Sequence, residues 1–264
     1  MLCVRQAERR MLPNLKDLTM FPRQPLVRNK GSESQRVESA IYCLDKNFQL
    51  PIPCISSVLL CRGALPANKV EFDDLANFMK GVPQQMFMGN PVPRKQCTFG
   101  PFKYKTYPLY PNDWPSLVTR VLDATRAFAE QLGVDKPEEY TGVHVNFYPD
   151  GDSSVSKHAD DERQLVTGAP IFSYTYLEGS DNSLARDFKI WRRPDLKDDS
   201  IVEGSGLPVS VRLESGDLLV MMGQMQTFFV HGVEKVRNAP VAPRLNLTVR
   251  KFVDMTKRTR EREE

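Results

Sequence analysis

Two histidines and an aspartate have the residue types and the spacing of a metal site. His158 and Asp160 stand two residues apart, and His231 follows much later in the chain. Side chains at positions i and i+2 of an extended segment point to the same side, so the first pair can reach one metal ion together. His231 would have to come from another strand. This pattern is typical of the two-histidine, one-carboxylate triad that holds Fe(II) by one face and leaves its other positions open.

The spacing alone leaves other interpretations open. The surrounding segment DGDSSVSKHADDE is polar enough to be a solvated turn. The same three side chains could also bind zinc, because imidazole and carboxylate suit several metals. However, the chain has only three histidines, and two of them fall in this pattern.

A second chemical feature follows the last histidine. In the segment RLNLTVR, strict alternation places Arg244, Asn246, Thr248 and Arg250 on one face of a strand. Two guanidinium groups on an inward face are costly unless they meet an anion, and the arginine fork matches a carboxylate. We therefore favour a dicarboxylate ligand. An edge strand with its polar face in water is the alternative.

The remaining periodicities predict the elements that position these groups. Residues 72–82 indicate a short amphipathic helix, and residues 113–133 a longer one with Asp113 as N-cap and Pro115 in the first turn. After residue 143 the pattern alternates. The predicted strands are 143–148, 171–178, 187–191, 209–214, 217–223, 227–233 and 244–252. Many short strands around a metal site favour a jelly roll.

Composition restricts the class of protein further. The chain has 264 residues, a net charge of +3 and 41% hydrophobic residues. It has no run of 18 apolar residues, which argues against a membrane span. Its five cysteines are odd in number and lack CxxC spacing, so we expect reduced thiols in an intracellular protein. Residues 1–40 predict a basic, flexible arm, and residues 41–264 a single domain. Targeting to an organelle by the arm is left open.

Several motifs, in order, resemble one known family. They are PRKQ (93–96), NFYPDG (146–151), HADDERQL (158–165), GAPI (168–171), RDF (186–188), GDLLVM (216–221) and APRLNLTVRK (242–251). Together they span roughly the last two-thirds of the chain. They resemble the AlkB family of Fe(II)- and 2-oxoglutarate-dependent dioxygenases, and in particular its branch that repairs alkylated duplex DNA. The resemblance implies a mainly β fold with flanking helices: a double-stranded β-helix, or jelly-roll, core with an N-terminal nucleotide-recognition lid at about 80–110.

The resemblance also implies roles for individual residues in the cofactor site. The metal ligands would be His158, Asp160 and His231. Arg244 and Arg250 would anchor the two carboxylates of 2-oxoglutarate, and the other contacts to this co-substrate would come from Asn146, Tyr148, Asn246 and Thr248. Asp161 and Glu162 match an acidic pair beside the substrate base.

The substrate residues are expected in the lid and in one loop. A base must leave the duplex to reach the iron, and an apolar side chain inserted into the stack offsets that cost. Met86 or Phe87 would be this wedge. Arg94 and Lys95 would contact phosphate or shape the lid, and Tyr104 and Tyr107 would stack on the flipped base. Lys235 and Arg237 lie where relatives grip the opposite strand, but this loop is one residue longer and less basic, which weakens the expected preference for duplexes.

The resemblance implies a complete activity. The protein would demethylate 1-methyladenine and 3-methylcytosine in DNA, using Fe(II), 2-oxoglutarate and O₂ and releasing succinate, CO₂ and formaldehyde. Two alternatives stay open: demethylation of RNA, and hydroxylation of a protein or a small molecule. We expect a monomer that binds double- or single-stranded alkylated DNA, does not bind membranes and resides in the nucleus.

Overall fold

The computed structural model describes residues 56–101, 107–193 and 208–253, and the backbone of 39–43. The predicted N-terminal arm and Tyr104 fall outside the described residues, so these predictions stay predictions. The strands are β1 Ser39–Cys43, β2 Ser56–Cys61, β3 Met86–Phe87, β4 Asn90–Pro91, β5 Lys95–Phe99, β6 Leu109–Tyr110, β7 Val143–Tyr148, β8 Val155–His158, β9 Ile171–Leu177, β10 Arg186–Arg192, β11 Val209–Leu213, β12 Asp217–Gly223, β13 Phe229–Val233 and β14 Arg244–Val249. The helices are α1 Lys69–Gly81, α2 Ser116–Gln131 and α3 Met225–Phe228.

Two sheets form the core of the molecule. The larger has eight strands in the order β1-β2-β12-β9-β14-β7-β5-β6, and the smaller has four in the order β11-β10-β13-β8. One face of the large sheet packs against α1 and α2 through residues such as Phe72, Val118 and Val145. Its other face meets the small sheet through residues such as Leu60 and Ile190. The predicted jelly-roll architecture, mainly β with flanking helices, is confirmed.

Helix α1 begins three residues before the predicted start. Asn68 accepts a hydrogen bond from the Glu71 backbone N–H, and the Glu71 side chain accepts one from the Asn68 backbone N–H. This capping box satisfies two N–H groups that the first turn would otherwise leave unpaired. Phe72, Leu75 and Met79 then face the core at helical spacing.

Two local predictions were wrong. Asp113 is not the N-cap of α2: it has a φ of 56°, and the helix starts at Ser116 after Pro115, without a side-chain cap. Proline supplies the extended backbone that precedes the helix and needs no donor there. Residues 227–233 are not one strand either, because the short helix α3 occupies 225–228 before β13 begins. Apolar residues run through both elements, so alternation could not separate them.

A small hairpin lies within residues 80–110, where a lid was predicted; its role as a lid stays a prediction. Strands β3 and β4 are joined by Met88 and Gly89, which both have positive φ, 49° and 79°. Positive φ at both central residues is the signature of the type I′ turn, whose twist matches that of paired strands. Met86, Phe87 and Met88, which we call the apolar hairpin, have exposed fractions of 60%, 70% and 85%.

Gly151 allows two loops to approach each other closely. Its carbonyl accepts a hydrogen bond from the Val236 N–H, and a Cβ at this position would lie 2.0 Å from the Val236 carbonyl oxygen. The loop after β7 and the loop after β13 therefore meet where only glycine fits. The glycine of NFYPDG is thus explained by packing.

We expect Gly151→Ala to destabilise the fold by about 1–3 kcal/mol, because the two loops must separate to admit the methyl group. Thermal or denaturant unfolding measures this. Gly81→Ala is the matched control, since a Cβ there has nothing within 4 Å. Equal stability of the two variants would contradict the close packing described for Gly151.

Of the helices among the described residues, none is long and apolar enough to cross a membrane.

Candidate active site

A cavity of about 200 Å³ opens between the two sheets. The large sheet contributes alternate residues of β7 and β14, and the small sheet contributes residues of β8, β10 and β13. The predicted site residues that line it are Arg94, Tyr107, Asn146, Tyr148, His158, Asp160, His231, Arg244, Asn246, Thr248 and Arg250. The predicted metal ligands and the predicted co-substrate residues come from segments that are far apart in the sequence. They therefore meet in one cavity.

The three predicted metal ligands converge. One ligand atom from each of His158, Asp160 and His231 lies within 4.8 Å of the others. The Nε2 atoms of the two histidines are each 4.0 Å from an oxygen of Asp160. His158 ends β8 and pairs directly with His231 on β13, while Asp160 lies just beyond the strand. His231 comes from another strand, as predicted. The prediction that His158 and Asp160 share one strand was wrong, because β8 ends at His158 and Asp160 enters the site from the loop that follows.

Hydrogen bonds set the ligand atoms in place. The Nδ1–H of His158 donates to the carbonyl of Ser156 at 2.9 Å, which leaves Nε2 with the lone pair that faces the cluster. The backbone N–H of Asp160 donates to the side-chain oxygen of Gln226 at 2.9 Å. Nη2 of Arg250 donates to both oxygens of Asp160, at 3.0 and 2.9 Å.

Charge and burial prepare these groups for a cation. Burial, together with the neighbouring His158, lowers the pKa of His231 to about 3, although Asp160 opposes the shift. Burial also lowers the pKa of His158. For Asp160, burial acts to raise the pKa, but Arg250 and the two adjacent histidines outweigh it and the pKa is lowered. At neutral pH the site thus presents two neutral imidazoles and an ionised carboxylate.

This donor set fits a ferrous ion. Two imidazole nitrogens and one carboxylate leave part of the 2+ charge uncompensated and suit the facial triad of non-haem iron enzymes. Among the described residues, these three form the one cluster of at least three potential ligands within such a distance. The predicted metal site is therefore brought together by the fold.

The other end of the cavity is built for an anion. Arg244 is 2% exposed, and its Nη2 donates to the Thr175 hydroxyl at 2.9 Å. Its Nη1 is buried and meets no hydrogen-bond acceptor within the part of the chain that the structure describes. The Tyr148 ring lies 5.1 Å from the guanidinium carbon. Burial lowers the pKa of Arg244, a cost that an incoming carboxylate would offset.

Two asparagines lie between the anion end and the metal ligands. Asn146 and Asn246 are directly paired across β7 and β14. Asn246 donates to the Ser173 hydroxyl at 2.8 Å and to the Tyr174 carbonyl at 2.9 Å, and it accepts from Thr248. Asn146 accepts a hydrogen bond from Arg94 at 2.7 Å. The buried Arg244 and the polar side chains of Asn146, Asn246 and Thr248 fit a keto-dicarboxylate such as 2-oxoglutarate. Such a ligand would reach from Arg244 towards the metal ligands.

Arg250 has a partner different from the predicted one. Its guanidinium pairs with Asp160, so the structure connects it to the metal ligand and not to a separate carboxylate site. Its contact with 2-oxoglutarate stays a prediction. The guanidinium of Arg250 keeps Asp160 ionised. Arg250 therefore supports the metal site whether or not it also contacts 2-oxoglutarate.

Of the predicted substrate residues that the structure describes, Arg94 and Tyr107 line the cavity and the others do not. Arg94 reaches inward, donating to Asn146, Ser154 and Gln96, and Lys95 donates to the Lys80 carbonyl at the end of α1. Both residues thus hold the segment that follows the apolar hairpin. Their contact with phosphate stays a prediction.

Acidic and basic residues lie outside the cavity. Asp161 forms an ion pair with Arg193 at 2.9 Å, and Glu162 is partly buried. Lys235 and Arg237 are exposed on the loop after β13, and Arg237 lies 3.5 Å from Asp152. Because Lys235 and Arg237 lie at the surface, they are accessible to a large partner.

Three residues of the site were not assigned a role from sequence. Arg186, in the RDF motif, is buried and donates to the carbonyls of Asp150, Ser153 and Glu234, so it ties together the loops after β7 and β13. Gln226 holds the backbone of Asp160. His144 lines the cavity. The RDF motif and the alternation 144, 146, 148 were the signals that could have revealed two of them.

Residues 77–250 match the sequence profile of the 2OG-Fe(II) oxygenase superfamily. The match covers well over half of the chain, and the chain therefore belongs to this superfamily. Fe(II) and 2-oxoglutarate are its implied metal and co-substrate, in agreement with the donor set and the anion end described above.

Curated relatives make the similarity more specific and confirm the predicted likeness to AlkB proteins. DNA oxidative demethylase ALKBH2 of Bos taurus is 33% identical over 172 residues, covering 64% of this chain and 56% of that protein. The human protein of the same name is 32% identical over 166 residues, with 61% and 58% covered. The alkB homolog 3 dioxygenase of Mus musculus is 26% identical over 208 residues, with 74% and 66% covered. The alignments thus span less than two thirds of the two ALKBH2 proteins.

Among solved structures, that of OsALKBH1 is similar at 20% identity with a TM-score of 0.44, covering 74% of this chain and 96% of the solved chain.

Proposed function

We propose that this protein oxidatively demethylates N-alkylated bases in DNA. The observation that carries the proposal is a cavity that holds a complete metal triad, a buried arginine nitrogen without an acceptor among the described residues, and Arg94 from the segment that follows a hairpin of exposed apolar side chains. The two ALKBH2 relatives bear the name DNA oxidative demethylase, which supports the same substrate class.

The iron, with 2-oxoglutarate and O₂, would supply an oxidation that hydroxylates the N-methyl group, yields succinate and CO₂, and leaves a hemiaminal that releases formaldehyde and the unmodified base. His158, Asp160 and His231 would hold the metal. Arg244 would bind the distal carboxylate of the co-substrate. Apolar lining residues, Phe188, Met221 and Val233, would keep bulk water out of the space between the sheets.

The apolar hairpin supports a nucleic-acid substrate. Large exposed apolar side chains that adjoin one another are unusual on a soluble surface and commonly mark an interaction site. Met88 adopts a left-handed conformation that β-branched and bulky residues avoid, so the turn is kept at some conformational cost. A rigid two-residue turn would present these side chains to a base stack, where one of them could fill the space of an extruded base.

The charges around the mouth support DNA as the partner. Lys157 lies 4.5 Å above the ring of Trp191, which belongs to β10 of the small sheet. Lys189 is also on β10, and Arg193 directly follows this strand. Arg193, Lys189 and Arg237 pair with Asp161, Glu234 and Asp152, so each would exchange a carboxylate for a phosphate on binding. Together with Lys157 and Lys235 these cations would make the binding of DNA weaken with salt. We also propose that the protein is located in the nucleus, because its proposed substrate is DNA. We propose that it is a monomer, because a single domain is expected.

The direct test is mass spectrometry of oligonucleotides that carry 1-methyladenine or 3-methylcytosine, incubated with the protein, Fe(II), ascorbate and 2-oxoglutarate. Loss of about 14 mass units per lesion with release of formaldehyde is expected. Matched DNA and RNA strands distinguish the two polymers. Turnover of 2-oxoglutarate without change in any methylated strand would overturn the proposal in favour of a protein or small-molecule substrate.

The wedge assignment gives a separate prediction. Changing Met86 and Phe87 together to serine should lower repair of double strands by about tenfold or more, because the cost of extruding a base is no longer offset. Repair of single strands should fall much less. Initial rates on paired and unpaired versions of one oligonucleotide measure the difference.

Val70→Ser is the matched control for the hairpin variant. Val70 is a large apolar residue, 66% exposed, on the outer face of α1. The control should leave both rates unchanged. An equal loss on paired and unpaired DNA in the hairpin variant would assign these residues to general binding.

A further inference from the structure

Arg186 is a buried arginine next to the anion end of the cavity. It begins β10 and is 3% exposed, and it does not line the cavity itself. Its guanidinium carbon lies 5.8 Å from the centre of the Tyr148 ring, and that of Arg244 lies 5.1 Å from the centre of the same ring. Arg186 can therefore act on a ligand of Arg244 only through Tyr148 and through its own charge.

The hydrogen bonds of Arg186 hold two loops together. It donates to two carbonyls within residues 150–153, at 3.3 and 2.8 Å. It also donates to the carbonyl of Glu234, which begins residues 234–237 directly after β13. We call these two segments the paired loops. One side chain thus reaches from the backbone of both loops to the ring of Tyr148.

Arg186 and Arg244 place two positive charges at this end of the site. The partners of Arg186 are carbonyl dipoles, which stabilise a positive charge without neutralising it, and its buried Nε meets no acceptor among the described residues. Burial lowers the pKa of Arg244, and repulsion from Arg186 lowers it further, although Tyr148 opposes the shift. A carboxylate bound to Arg244 would relieve this repulsion.

The position of this charge depends on the paired loops. If the loops moved apart, Arg186 would lose its carbonyl partners, and a buried guanidinium without acceptors is costly. The side chain would then turn towards water and remove a positive charge from the anion end. A dicarboxylate should therefore bind more tightly when the loops are together, and by linkage its binding should hold the loops together.

We propose that Arg186 is a positioning residue through which bound 2-oxoglutarate holds the paired loops in place. The second loop carries Lys235 and Arg237, which belong to the cations expected to bind DNA. The protein would therefore bind a strand more tightly once its co-substrate is in the cavity. This consequence rests on the proposed function, whereas the link between co-substrate and loops can be measured without DNA.

Hydrogen–deuterium exchange of the Mn(II)-loaded protein, with and without 2-oxoglutarate, tests the link. Backbone amides of the paired loops should exchange about threefold or more slowly with the co-substrate present. In Arg186→Met this protection should be lost, and the Kd for 2-oxoglutarate should rise by about 5- to 30-fold, within the usual range of coupling between two sites. Arg186→Lys keeps the charge without the planar fork, so both values should be intermediate.

Lys189→Met is the matched control. Lys189 lies on the same strand and pairs with the side chain of Glu234, so it also contacts the paired loops. Its contacts within the part of the chain that the structure describes do not include Tyr148 or Arg244. Because this ion pair is largely exposed, the control should keep the Kd for 2-oxoglutarate within about twofold and should keep the protection of the loops.

Several outcomes would overturn the inference. One is the absence of co-substrate-dependent protection in the unchanged protein, a measurement that needs no variant to fold. Another is equal protection in Arg186→Met, or loss of protection in Lys189→Met as well. Where Arg186→Met fails to fold, values in Arg186→Lys that equal those of the unchanged protein would have the same meaning.

The proposed function is tested apart from this link. If no methylated strand is repaired, the proposed function fails, and the exchange experiment still decides the role of Arg186. The Kd of the Mn(II)-loaded protein for an unmethylated oligonucleotide adds a readout for DNA. It should fall when 2-oxoglutarate is added to the unchanged protein and should not change in Arg186→Met. Equal behaviour of the two proteins in this assay would overturn the assignment of the paired loops to DNA.

Discussion

His158→Ala is expected to abolish the iron-dependent turnover of 2-oxoglutarate while the chain still folds. His158 offers one of the three atoms that converge within 4.8 Å, and no other described histidine is close enough to replace it. The side chain lies at the mouth of the cavity and is 34% exposed, so its removal leaves no large buried void. The loss should exceed the roughly 10–100-fold effect that is typical of changes to the outer partners of metal ligands.

Succinate release and the affinity for Mn(II) would measure this effect. Lys157→Ala is the control, because Lys157 is the preceding residue of β8 and points to the opposite, outer face. It should leave 2-oxoglutarate turnover without DNA unchanged. Asp160→Asn gives a second variant of the triad that keeps the shape of the side chain. Full iron-dependent turnover in either triad variant would exclude that residue as a ligand.

Arg244→Met should raise the KM for 2-oxoglutarate by about 30- to 1000-fold, which corresponds to the roughly 2–4 kcal/mol lost when a buried, charge-assisted contact is removed. Methionine keeps most of the apolar volume of the arginine, so the core should stay packed. The variant removes the buried Nη1 that is ready for a carboxylate. The affinity for Mn(II) should stay unchanged, since Arg244 does not contact the triad in the structure.

Arg250→Met provides an informative contrast. Its guanidinium pairs with Asp160, so this variant should weaken the binding of metal as well as of 2-oxoglutarate. Arg212→Met is the neutral control, because Arg212 is exposed on β11 and contacts Asp187 and Ser183. An unchanged KM for 2-oxoglutarate in Arg244→Met would remove Arg244 from the co-substrate site.

The second half of the fold could be predicted from periodicity because most of its strands are short and bounded by turn residues. The strands at 143–148 and 217–223 have the predicted bounds. The first half was harder. The segments at β3, β4 and β6 have two residues each, which is too short for any period to be recognised. Helix α3 and β13 are both apolar, so the boundary at residue 229 depends on tertiary packing.

The candidate site also has parts that local sequence patterns predicted and parts that depend on tertiary packing. His-x-Asp, the distant histidine and the alternation from Arg244 to Arg250 are local patterns, and residue chemistry alone assigned them to a metal and a dicarboxylate. Every residue of β7 and β14 is buried, since helices cover one face of the sheet and the small sheet covers the other. Burial therefore does not distinguish the two faces of β7, and the alternation of residues 144, 146 and 148 is the signal for the face that lines the cavity.

By itself, the sequence determined which groups can bind a cation and an anion, because those properties belong to side-chain types and to spacing within one segment. Only the tertiary structure decided that Arg250 contacts Asp160, that Gln226 holds the backbone of Asp160, and that His144 faces the cavity beside Tyr107. These contacts join residues far apart in the chain. Their geometry follows from the register and packing of two sheets, which no local pattern encodes.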